Sequence, residues 1–162
     1  MTTNSRSTEL DLLLYLIDQA YEKRAWHGPN LRFSLRGLNA KLASRRPAPG
    51  RHNIWEIVVH LAYWKYIVTK RLLDVRKGTF PYKGRNWFLR PSTTLGGTWE
   101  SDLRLLDETH RAMRDVVANM RIGQLGKKTA GKNVTNTDMI SGIAAHDFYH
   151  AAQIQLVKRL LR

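Results

Sequence analysis

Apolar residues return every third or fourth position in four long stretches of this chain, and that period commits it to helices. The first stretch runs from about Ser7 to Lys23, with Leu10, Leu13, Leu14, Ile17 and Tyr21 in helical phase. It stops before Trp26-His27-Gly28-Pro29, where Gly and Pro disfavour continuation. The second opens at Asn53, a good N-cap, with Glu56 three residues on to complete a capping box. Its stripe of Ile54, Ile57, Leu61, Trp64, Val68 and Leu72 leads to about Lys77. The third runs from about Thr98 to Met120, with Leu103, Leu106, His110, Met113 and Val117 on one side. The fourth starts near Thr137 and continues to the C-terminus.

Between the first two long helices a shorter helical piece is expected, about Ser34 to Ser44, ended by Arg46-Pro47-Ala48-Pro49-Gly50. Two longer connections, Gly78 to Gly97 and Gly123 to Asn136, are rich in Gly and polar residues. Loops as long as the first are usually functional or flexible. No internal repeat and no strand pair can be read. Four amphipathic helices bury their stripes against one another, so the expected fold is all-α, a four-helix bundle with an extra short helix between helices one and two. The 162 residues suit a single domain over 1–162.

There is no cysteine, which excludes disulfides, thiolate zinc sites and a cysteine nucleophile. Any metal must be held by nitrogen or oxygen. No apolar run approaches the roughly 20 residues of a membrane span, and the polar start Met1 to Thr8 lacks the apolar stretch of a secretory signal. A cytoplasmic protein with no membrane partner is expected. Lys and Arg number 27 against 13 Asp and Glu, a formal charge of +14. Such a surplus fits nucleic acid or an anionic substrate. The basic residues are scattered, however, Lys65, Lys70, Arg104, Arg114 and Lys158 among them, and most fall on what would be exposed helix faces. A solvated basic surface is therefore favoured over a nucleic-acid footprint.

His146 and His150 stand four residues apart on the last helix, one turn above each other on nearly the same face. Met139, Ile143, Gln153, Val157 and Leu161 fall within about 60° of His146, so the pair points into the bundle. His60 is aimed inward too, with Ile57, Leu61, Trp64 and Ile67 as helical neighbours. A single inward histidine is more often a hydrogen-bonded core residue than a ligand. Three in one small core are harder to satisfy, because each imidazole needs partners for two nitrogens among apolar neighbours. A shared metal ion satisfies three at once. His27, His52 and His110 are poorer candidates: a turn residue, a neighbour of the N-cap, and a core or pocket-lining residue. Asp147 is turned about 100° from His146, so it is expected to orient a histidine of another helix or to pair with an arginine. Glu56 serves as a capping residue or as an acceptor behind His60. No serine triad, phosphate-cradling loop or inward carboxylate pair can be read.

The stretches Pro49-Gly50-Arg51-His52-Asn53-Ile54-Trp55-Glu56, Val59-His60-Leu61-Ala62-Tyr63-Trp64 and Gly142-Ile143-Ala144-Ala145-His146-Asp147-Phe148-Tyr149-His150-Ala151-Ala152-Gln153-Ile154 resemble the DinB/YfiT-like superfamily. Ala25-Trp26-His27-Gly28-Pro29-Asn30-Leu31 is similar to that family's first inter-helix turn. One departure is Ala152, where the family often has Gly before the Gln-Ile pair. The resemblance implies an up-down-down-up bundle, commonly a homodimer, with a divalent metal, zinc or nickel, on His60, His146 and His150. It also implies thiol-dependent chemistry, since characterised members are isomerases and S-transferases that use low-molecular-weight thiols. Three imidazoles leave an open coordination position, the pattern of a catalytic site. The expected function is thus a metal-dependent thiol S-transferase or hydrolase acting with an anionic small-molecule thiol. The rival expectations are a non-catalytic metal or ligand-binding bundle and, less favoured, a nucleic-acid-binding protein.

Overall fold

The computed structural model describes residues 8–129 and 133–162; expectations for the first seven residues and for 130–132 lie outside this range. The described residues form α1 (Thr8–Tyr21), α2 (Leu31–Ser34), α3 (Ala40–Ala43), α4 (Ile54–Leu72), α5 (Trp99–Ala118), α6 (Ile122–Leu125) and α7 (Asn136–Leu160). They include no strand, only isolated bridges at Ala25–Gly28 and Lys128–Thr135. The fold is all-helical, as the periodicity predicts. The four long helices α1, α4, α5 and α7 make the bundle.

Cross-helix contacts give its sense. Asp18 pairs with Arg114 and Tyr21 with Asp107, so α1 and α5 are antiparallel. Trp55 donates to Asp102 near the starts of α4 and α5, and Leu72 and Val116 near their ends line one pocket, so those two are parallel. His60 reaches His146 while Val68 and Met139 line one cavity, which makes α4 and α7 antiparallel. Thr137 bonds Glu9 at the starts of α7 and α1. The order is up-down-down-up, and the parallel α4–α5 pair is what requires the long crossover between them.

The core divides along the bundle axis. One apolar cluster holds Ile54, Ile57, Leu61, Leu106, Ile154 and Val157. The other holds Leu10, Leu14, Val68, Met113, Val117 and Ile140. Between them α1, α4, α5 and α7 contribute a buried polar layer: Tyr21, Lys65, His110 and Asp147, with His60 and His150 alongside. Lys65 donates to Asp147 at 2.6 Å, and both side chains are closed to solvent. Two expectations are corrected here. Lys65 is not on an exposed face, because its spacing from Leu61, Val68 and Leu72 puts it on the apolar stripe of α4. Asp147 neither orients a histidine nor pairs with an arginine, because Lys65 of the facing helix takes both its oxygens.

Helix ends also differ in detail. The short helix expected over Ser34 to Ser44 is two single turns, capped by Asn30 and Asn39 and separated by Gly37 at φ 75°, which a helix cannot continue through. Helix α4 stops at Leu72 rather than Lys77, since Asp74 adopts φ 52°. The turn α6 lies inside the second long connection. The capping box at Asn53 and Glu56 forms as predicted, and Thr135 with Asp138 builds another at the start of α7.

Residues 73–98 have no helix, yet they are pinned to the bundle. The Arg90 side chain is fully buried, 2.7 Å from Asp102 of α5, and lies over the Tyr82 ring. Its carbonyl accepts from the Asn53 side chain at 2.6 Å, and its guanidinium donates to the Gly96 carbonyl. Gly97 follows at φ 84°, where a Cβ would overlap both Tyr82 Oη and Arg90 Nη2. That anchor carries Asn86 and Trp87 across α4.

Candidate metal centre

His60 projects from the middle of α4, and His146 and His150 from consecutive turns of α7. Antiparallel packing of the two helices brings all three rings together. His146 Nε2 stands 3.1 Å from His60 Nε2 and 3.1 Å from His150 Nε2, and the three donor atoms lie within 4.8 Å of one another. His60 and His150 are 5% and 3% exposed, and His146 is half-buried.

The outer nitrogens fix which atoms face inward. His60 Nδ1 lies 2.8 Å from the Asn86 carbonyl, which can only accept, so the ring proton is on Nδ1 and the Nε2 lone pair is free. His150 Nδ1 is held in the same way by Gln153 Oε1 at 2.7 Å. His146 Nδ1 is buried and has no partner among the described residues. One shared proton would leave lone pairs of this group opposed. Three nitrogens bound at about 2.0–2.1 Å around a tetrahedral ion stand about 3.3 Å apart, close to the two 3.1 Å separations that His146 makes. The residues therefore fit a divalent metal.

Electrostatics agree with that fit. Burial lowers the pKa of His60, against the opposing pull of its Asn86 hydrogen bond. Burial, then the neighbouring His150 and His60, takes His146 down to about 3. Burial takes His150 down to about 4 despite its bond to Gln153. All three rings are neutral at pH 7, the state in which imidazole ligates.

Residues of the crossover complete the centre. Asn86, at φ 70°, offers its carbonyl to His60 and its side-chain oxygen to Trp64 Nε1 at 2.9 Å. Trp87 stacks on His60 at 3.9 Å and on His52 at 3.6 Å, sandwiched between the two rings. Sequence reasoning missed Asn86 and Trp87, because nothing in local spacing shows which part of a loop folds back on a helix. A cavity of about 510 Å³ between α4 and α7 opens onto His60 and His146.

The other candidates lie elsewhere. Glu56 closes its capping box and binds Arg46 and His52, not His60. Burial raises its pKa, and Arg46, His52 and the Arg90 backbone together outweigh that and hold it low. His110 is buried against Tyr21, rings stacked at 3.5 Å, and lines no part of the cavity. His27 sits edge-on to Phe148 at 4.4 Å. Ala152 lies exposed on α7, so its departure from Gly meets no helix packing.

No helix among the described residues is long and apolar enough to cross a membrane. Neither the curated proteins nor the solved structures contain a match to the chain. The family model of the DinB superfamily matches residues 25–154, a span that takes in the crossover and all three histidines. The chain belongs to the DinB superfamily.

Proposed function

We propose that the protein binds one divalent metal ion, zinc or nickel, through the Nε2 atoms of His60, His146 and His150. The observation that carries this reading is the convergence of three neutral rings, two with their outer nitrogens already given to Asn86 and Gln153. We propose further that the site is catalytic, of the thiol S-transferase or isomerase type, in the cytoplasm where low-molecular-weight thiols stay reduced. Support comes from the family, from a three-ligand set that leaves a position open, and from the cavity beside it. A bound divalent ion there would supply a Lewis acid that lowers the pKa of a thiol or water. The chain's own residues do the rest. Asn86 and Gln153 hold His60 and His150 in one tautomer. Trp87 covers one face of His60. The charge of +14 favours encounter with an anionic thiol.

Metal content of the purified protein is the first test, compared between wild type and His150→Ala. The expected result is about one equivalent against almost none; equal metal in both would sink the triad. Turnover of a thiol panel with a chlorodinitrobenzene electrophile tests the second step. Full metal loading with no turnover would favour a non-catalytic metal-binding bundle instead.

A further inference from the structure

Gly142 occupies the interior of α7, where glycine is the least favoured residue after proline. Its φ is not left-handed, and a Cβ built on it meets nothing within 4 Å. Neither backbone geometry nor close packing therefore asks for glycine here. Gly142 is exposed and lines a cavity one turn along α7 from His146, so a long side chain here would stand at the rim of that cavity.

The walls of that cavity say what belongs in it. Trp64 and Val68 of α4 face Met139 and Ile143 of α7, and His60 and His146 close one end. Among the described residues the lining includes no lysine or arginine, although the chain carries 27 of them. Its one carboxylate, Asp138, is exposed and already bonded to Thr135. Away from the histidine end, an anion would lose hydration against Val68, Met139 and Ile143 and gain no countercharge from the described lining side chains. The volume of about 510 Å³ lies inside the usual range of small-molecule sites, about 300–1,000 Å³.

We infer that the cavity lined by Gly142 is the binding site for an uncharged, apolar or aromatic small molecule, whose reactive end lies against His60 and His146. This deepens the functional reading above and rests on it only for the reaction. In an S-transferase the occupant would be the apolar electrophile, and the anionic thiol would approach from outside the cavity.

N-Phenyl-1-naphthylamine, neutral and fluorescent, tests the site, with its sulfonated relative 8-anilinonaphthalene-1-sulfonate as the anionic counterpart. The neutral probe is expected to bind one per chain, with or without metal. Gly142→Leu should weaken it by more than about tenfold, the scale on which added methylenes are rejected by an apolar pocket. The variant should keep its fold, with a melting temperature no lower than that of wild type, because leucine is the better helix former. Gly123→Leu, a matching substitution away from the cavity, should bind like wild type. Probe affinity unchanged by Gly142→Leu would overturn the inference. So would Gly142-dependent binding of the sulfonate to the metal-free protein at least as tight as that of the neutral probe, or no binding of the neutral probe at all. Lost metal with intact, Gly142-dependent probe binding would remove the proposed metal and leave the cavity. Intact metal with Gly142-independent probe binding would do the reverse.

Discussion

The polar layer across the bundle buries histidine on two sides, and the two sides differ in their acceptors rather than in their depth. On the α4–α7 side, His60 and His150 each give an outer nitrogen to an oxygen and turn the inner one toward His146. On the side of Tyr21, His110 has no partner on either ring nitrogen among the described residues, and burial with nearby Lys65 takes its pKa down to about 2. The Lys65–Asp147 pair lies between them, its ammonium 5.3 Å from the centre of the Tyr21 ring. Burial alone therefore does not mark a ligand. Oriented lone pairs that converge from two helices do.

The largest way to break this arrangement is to remove the divider. Asp147→Ala leaves the Lys65 ammonium buried without its carboxylate, expected to cost about 3–5 kcal/mol by denaturant midpoint at unchanged slope. Replacing both, Lys65→Met with Asp147→Leu, should recover most of it. A single variant as stable as wild type would show that water reaches the pair.

The next effect has the opposite sign. His110→Phe keeps a ring against Tyr21 and removes two unsatisfied buried nitrogens, so unfolding should become about 1–3 kcal/mol harder with metal content unchanged. It should also flatten the acid limb of metal-free stability. An unfolded histidine takes a proton near pH 6.5, whereas folded His110, His146 and His150 wait until about 2, 3 and 4. Their contribution is full above pH 6.5 and is lost as pH falls toward those values, by up to about 1.4 kcal/mol per pH unit for each histidine. His110→Phe removes one histidine's share of that slope; an unchanged slope would mean that His110 titrates normally. The smallest effect sharpens the other side. Gln153→Leu should weaken metal binding about 10–100-fold by competition with a chelator, at near-constant melting temperature of the metal-free protein. Wild-type affinity would deny Gln153 its orienting role.

How much of this was legible in the sequence follows from the range of each interaction. Helical phase placed Leu106, His110, Met113 and Val117 on one buried face of α5, and turned His60 and His150 inward. Local chemistry gave the Asn53 cap. The polar layer was not legible as a layer, because Lys65, His110 and Asp147 come from three helices whose relative slide only packing decides. Even so, Lys65 stands on the stripe of Leu61, Val68 and Leu72, and that position was a readable sign of burial. Asn86 and Trp87 left no local sign. Their meeting with His60 depends on Arg90 finding Asp102.

That last contact has a consequence in time. A loop held by surface bonds frays one residue at a time, on the fast end of protein opening. Residues 73–98 are moored by a guanidinium with no exposure, so lifting Asn86 and Trp87 off His60 means drawing Arg90 out of its seat against Asp102 and Tyr82. The stretch around the buried Phe88 and Arg90 is therefore expected to open together, and its amides should exchange with solvent more slowly than those of the exposed remainder of the crossover. The cavity beside Gly142 on α7 reaches His60 and His146 without that movement.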